Sequence, residues 1–162
     1  MMKQLDLGCS GFTRTWDGYE CEGIDIVDHP EAPHIHKADL VFDKLPFPDN
    51  SFDLVTAYDF LEHLPWIVYE GRQRRQVVVE LFNEIYRVLK PGGTFYSQTP
   101  CYPDRSVFQD PTHLSFWTDE TFNYFSGDYY GWHDHYGHTS HFKEVSKRLE
   151  NGHIYETLEA LK

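Results

Sequence analysis

The 162 residues carry 14 Lys and Arg against 26 Asp and Glu, a net charge of −12 at neutral pH, which argues against a nucleic-acid binder that relies on a basic surface. With 40% hydrophobic residues the chain is no disordered segment, and its length suits one domain, residues 1–162, with a core of its own. No apolar run reaches the length of a membrane span, Met1-Met2-Lys3-Gln4 lacks the apolar stretch of a secretory signal, and Cys9, Cys21 and Cys101 have no CxxC spacing, so a cytoplasmic protein with reduced thiols is expected.

In chain order, Gln4–Leu7 reads as a short strand ended by Gly8, Glu22–Ile26 as a second, and His36–Ala38 as a brief third. Phe52–Ala57 follows the turn Pro48-Asp49-Asn50-Ser51 as the fourth. Asp59-Phe60-Leu61-Glu62 has the form of a capping box and predicts a short helix from Phe60. Val77, Val78, Leu81, Phe82, Ile85, Val88 and Leu89 recur at spacings of three and four, which predicts a helix over Glu70–Leu89 stopped by Pro91-Gly92-Gly93. Thr94–Gln98 is the fifth strand. Thr118 is placed to cap a further helix, with Asp119 and Glu120 in its first turn and Gly127 at its end. Phe142–Glu150 and His153–Leu161 flank Asn151-Gly152, a strong hairpin signal. Alternating strand and helix signals predict a parallel sheet covered on both faces, with the hairpin adding an antiparallel edge.

Ligands of open α/β sheets bind beyond the carboxyl ends of the strands. Gly8-Cys9-Ser10-Gly11 is a tight turn of small residues after the first strand, open to close approach and rich in exposed N–H groups. Asp25 ends the second strand, where a carboxylate can accept from both hydroxyls of a ribose. Asp39 follows the third strand and Tyr58 with Asp59 the fourth; Asp39 could equally cap the turn at Leu40.

In these residues the chain resembles the class I S-adenosylmethionine-dependent methyltransferases, in particular the small type 11 group. The resemblance is carried by Leu5-Asp6-Leu7-Gly8-Cys9, Gly23-Ile24-Asp25-Ile26, Leu45–Val55, Leu61-Glu62-His63-Leu64 and Glu84–Gly93. It implies an α/β fold with a Rossmann-like, doubly wound, mostly parallel seven-stranded sheet and a C-terminal antiparallel hairpin. It further implies that S-adenosylmethionine is held by Gly8, Cys9, Ser10 and Gly11 at its methionine end, by Asp25 at the ribose, by Asp39 and Leu40 at the adenine, and by Tyr58 on the methionine side, with Ile26 also among the binding residues, leaving S-adenosylhomocysteine as product. Ser10 and Phe12 stand where the family usually has glycine. Thr13–Tyr19 lacks a helical apolar face, so the family's first helix is expected to be missing or reduced to a turn.

For catalysis, His63 is a candidate base facing the pocket. His113, in Asp110-Pro111-Thr112-His113, is a second that could take a proton from an acceptor oxygen or nitrogen, or else pin its loop by hydrogen bonds. Asp59 and Glu62 are read as capping residues. His133, His135, His138 and His141 form a run read as surface loop, and no metal is expected. Some of the aromatic residues after residue 100 are expected to wall an acceptor pocket or to cover a homodimer contact. The expected function is methyl transfer to a small-molecule or exposed side-chain acceptor; the alternative is a non-catalytic binding or assembly module with a degenerate cofactor turn.

Overall fold

The structure, a computed structural model, describes residues 1–127 and 134–162. Its strands are β1 (Met2–Leu7), β2 (Tyr19–Asp25), β3 (Ile35–Lys37), β4 (Phe52–Tyr58), β5 (Val68–Glu70), β6 (Gln73–Arg75), β7 (Leu89–Pro100), β8 (Phe142–Glu150) and β9 (His153–Ala160). The helices are α1 (Val77–Val88), α2 (Ser106–Gln109) and α3 (Asn123–Ser126). Seven strands form one sheet in the order β3-β2-β1-β4-β7-β9-β8. The pairs from β3 to β7 are parallel, while β9 joins β7 and β8 antiparallel. This is the doubly wound order, and it reverses between β1 and β4.

Register separates the two faces. Leu5 pairs with Val55 and Leu7 with Ala57; Val55 pairs with Phe95 and Phe95 with Leu158. With side chains alternating along each strand, these residues share one apolar face. Helix α1 covers it with Val77, Val78, Leu81, Phe82, Ile85 and Val88, all buried. The Phe82 ring lies 5.4 Å from that of Phe95 and stacks on Phe125 at 3.6 Å.

The opposite face presents Gln4, Asp6 and Thr56, all buried polar residues. Residues 13–16 cross them as extended chain, and no helix joins β1 to β2, as the sequence leads one to expect. Arg14 N–H donates to Asp6 Oδ2 and Trp16 N–H to Gln4 Oε1, each at 2.8 Å; Gln4 Nε2 donates back to the Arg14 carbonyl at 2.8 Å. Thr56 Oγ1 donates to Asp6 Oδ1 at 2.7 Å and accepts from Gln4 Nε2 at 3.0 Å. A polar strap therefore covers this face in place of a helix, and each such bond contributes roughly 1 kcal/mol net.

Several boundaries differ from expectation. The predicted helix over Glu70–Leu89 begins only at Val77, because 68–75 folds as the β5–β6 hairpin. Gly71 supplies its turn at φ +62°, and Arg75 pairs with both Glu70 and Glu80, pinning the hairpin to α1. Leu89 belongs to β7, not to the helix. The capping box does not form: only a 3-10 turn spans Leu61–His63, with no side-chain cap. Asp59 adopts φ +48° and directs its carboxylate to Gln98 Nε2 (3.0 Å) and His153 Nε2 (3.1 Å) instead. Thr118 pairs with Thr121 in a turn that holds Asp119 and Glu120, and the helix after it is only Asn123–Ser126. The hairpin forms as read, with Asn151 and Gly152 at φ +49° and +78°.

Candidate functional site

Ligand-facing loops leave the carboxyl ends of β1, β2, β3 and β4 on both sides of the switch point. Backbone there is unusual: Gly8, Ser10, Gly11 and Asp59 all lie in the left-handed region, at φ +67°, +51°, +86° and +48°. A Cβ on Gly8 would stand 2.3 Å from Cδ2 of Phe60, so the turn after β1 and the segment after β4 touch without room for a side chain. Left-handed Ser10 and Asp59 cost on the order of 1 kcal/mol each, and such strain clusters where a ligand is held.

Asp25 closes this turn from the β2 side. Its buried carboxylate accepts from Ser10 N–H at 2.6 Å through Oδ2 and from Val27 N–H at 2.8 Å through Oδ1. Each oxygen keeps a further lone pair. His29 Nε2 stands 3.7 Å from Oδ1, and the same ring abuts Gly11. Asp39 caps its own turn, accepting from Val41 N–H at 3.0 Å.

These residues border a cleft of about 910 Å³, within the usual range for small-molecule sites of roughly 300–1,000 Å³. It brings together Gly8, Ser10, Asp25, Ile26, Asp39, Leu40 and His63 from the sequence-predicted set. Ile26, Val27 and Leu114 are apolar yet 61%, 58% and 53% exposed on its walls. The remaining predicted residues lie elsewhere. Cys9 is buried against Gly23, and burial pushes its thiol up to about 11, so no reactive thiolate is present at neutral pH. Gly11 stands at the turn beside His29. Tyr58 borders a smaller cleft of about 170 Å³ that shares Gly8, Ser10 and Asp59 with the larger one. Its hydroxyl accepts from Trp16 Nε1 at 2.7 Å, and Arg14 lies over its ring at 4.7 Å.

The far wall is built by the loop after α2. Leu114 N–H and Ser115 N–H donate to the Glu62 carbonyl at 2.7 and 3.0 Å, clamping that loop to the segment after β4. Thr112 and Leu114 thereby reach the cleft. His113 does not border it; its ring packs edge-on to His63 at 5.0 Å, and its Nδ1 donates to the Val107 carbonyl at 2.9 Å. Glu62 is 2% exposed, and both its carboxyl oxygens are buried without a hydrogen-bond partner. Burial pushes its carboxyl up to about 8. Sequence reasoning left Glu62 as a cap and passed over Phe60, His29 and Thr112. The adjacent acid–imidazole pair Glu62-His63 was the available signal. Of the histidine run, His133 lies outside the described residues, as do the aromatics Tyr129, Tyr130 and Trp132.

Comparison with known proteins bears on the whole arrangement. A family described as "Methyltransferase domain" matches residues 5–97. The sterol 24-C-methyltransferase of Yarrowia lipolytica is 33% identical over 111 residues, which are 58% of this chain and 26% of that protein. The chain thus spans about a quarter of that relative's length. A SAM-dependent methyltransferase from Aquifex aeolicus superposes with a TM-score of 0.61 at 14% identity, covering 99% of this chain and 82% of the other. The [4+2]-cyclase SpnF superposes with a TM-score of 0.65 at 15% identity, covering 99% and 74%. No helix among the described residues is long and apolar enough to cross a membrane.

Proposed function

The chain belongs to the methyltransferase-domain family, and from that premise we propose that it transfers a methyl group from S-adenosylmethionine to a small-molecule or exposed side-chain acceptor. The convergence of Gly8, Ser10, Asp25, Ile26, Asp39 and Leu40 on one cleft carries this reading. The cradle fits the cofactor chemically: a turn of small residues on the cleft wall suits close backbone approach, a buried carboxylate with spare lone pairs suits ribose hydroxyls, and exposed Ile26 beside Asp39 and the largely buried Leu40 suits a purine. The smaller cleft, with Arg14 and Tyr58, suits the amino-acid end. When bound, the cofactor supplies an activated methyl carbon. The protein's share is alignment, plus a proton acceptor where the acceptor is protic. His63 at the cleft wall is that acceptor in this reading, and His113 behind it is a positioning residue.

A second reading, a binding module of the same fold, is favoured by one observation: the Asp25 carboxylate is already engaged by Ser10 and Val27, with His29 against Gly11. Calorimetric titration with S-adenosylmethionine and S-adenosylhomocysteine separates the two. Micromolar binding supports the transferase, to be followed by an acceptor screen that reads S-adenosylhomocysteine release. No binding at millimolar ligand removes the transferase reading and leaves the module.

A further inference from the structure

We propose that Glu62, His63 and His113 form a binding site for one divalent cation of the zinc class, set in the wall of the cleft. Each offers one donor atom, and the three lie within 4.8 Å of one another. Metal bonds of about 2.0–2.2 Å place donors roughly 3–3.5 Å apart, so the set needs to close by about an ångström.

Two independent observations point to a ligand. Glu62 is a buried carboxyl with no partner on either oxygen, and such a group in a native structure calls for a reason. The imidazoles, in turn, are held as ligands are held. A carbonyl only accepts, so His113 Nδ1, at 2.9 Å from the Val107 carbonyl, bears a proton, and in the neutral ring Nε2 is the lone pair. His63 Nδ1 stands 3.1 Å from Thr112 Oγ1 and 3.3 Å from the Thr112 carbonyl. Thr112 Oγ1 already donates to Asp110 Oδ1 at 2.7 Å, so His63 Nδ1 is the donor here too, again freeing Nε2. Outer N–H groups fixed by oxygen acceptors are the usual second shell of metal-bound histidine. Asp110 adds negative charge, with Oδ2 3.9 Å from His113 Nε2. The clamp from Leu114 and Ser115 to the Glu62 carbonyl fixes the two segments against each other.

Two nitrogens and one carboxylate oxygen suit Zn²⁺, and a three-ligand set leaves a coordination position open. Because His63 borders the cleft, an oxygen-bearing ligand there can reach the ion. With the ion bound, His63 gives up its role as proton acceptor. The inference uses the same side chains as that role but does not depend on methyl transfer.

The test is calorimetric titration of the chelator-stripped full chain with Zn²⁺, without cofactor, together with visible absorption of Co²⁺ added in its place. One ion per chain is expected, weakened at least about tenfold in each of Glu62→Gln, His63→Asn and His113→Asn. Melting curves and S-adenosylhomocysteine titrations show whether each variant keeps its fold. Absence of binding below about 100 µM overturns the proposal. So does binding that survives in the Glu62→Gln/His113→Asn double variant, or that is lost in His135→Asn/His141→Asn, which would place the ion in the histidine run. Ion binding without cofactor binding would remove the function proposed above and leave the metal site standing.

Discussion

Glu156 offers a quantitative test of how the apolar face is built. It lies on β9 opposite Ser97, fully buried, with both carboxyl oxygens unpartnered. Lys147 on β8 comes no nearer than 3.9 Å and is itself bound to Glu144 at 2.7 Å. Burial pushes the Glu156 carboxyl from 4.5 up to about 8; Lys147 opposes that rise and Glu144 adds to it. Between those two values the native chain holds a proton that the unfolded chain has released. Stability conferred by the neutral carboxyl is therefore complete below about 4.5 and is lost as pH rises to about 8. The whole interval corresponds to at most roughly 5 kcal/mol. Glu156→Gln cannot ionise and keeps the shape. It should match the parent near pH 4.5, exceed it by a few kcal/mol at pH 9, and melt on the order of 10 °C higher there. Paired thermal melts from pH 4 to 9 make the measurement. A difference between the two proteins that does not change with pH would refute the reasoning.

Asp25→Asn should weaken S-adenosylhomocysteine about 10–100-fold by calorimetry, as for loss of a charged acceptor; unchanged affinity takes Asp25 out of the site. Gly8→Ala combines a left-handed backbone with a Cβ at 2.3 Å from Phe60 and should cost about 2–4 kcal/mol in chemical denaturation. Gly18→Ala, at φ +86° with nothing within 4 Å, should cost only about 1 kcal/mol, and equal losses would contradict the contact at Gly8. Gln4→Leu leaves the Arg14 carbonyl, Trp16 N–H and Thr56 short of partners. Amide exchange should then accelerate over residues 12–18 while the β8–β9 hairpin stays protected.

Much of this fold is written locally. Asn151-Gly152 sets its hairpin through two left-handed residues, and β1 and β4 announce themselves by apolar content bounded by turns. The lost helix between β1 and β2 is legible from the missing apolar face of residues 13–19, although the Gln4 and Asp6 contacts that replace it are not. Where the reading erred, long-range partners outweighed local signals. Arg75 draws on Glu70 and Glu80 at once and turns a helical pattern into a hairpin, with Gly71 the one visible clue. Asp59 leaves its predicted cap for Gln98 and His153, 39 residues and more away in sequence. The Glu62, His63 and His113 cluster is non-local for the same reason: two backbone bonds to the Glu62 carbonyl make neighbours of segments about fifty residues apart.

The strap over Gln4 and Asp6 ties affinity to local folding. A helix makes its backbone hydrogen bonds within itself; this ply takes its bonds from the Gln4 and Asp6 side chains and loses them once it lifts. The Gly8–Gly11 turn is continuous with that ply, so a ligand seated on the turn selects the molecules in which it is laid down. The dissociation constant read in any titration is then the intrinsic one divided by the fraction so arranged. Occupancy should be visible, far from any ligand atom, as resistance of the Arg14 peptide bond to trypsin.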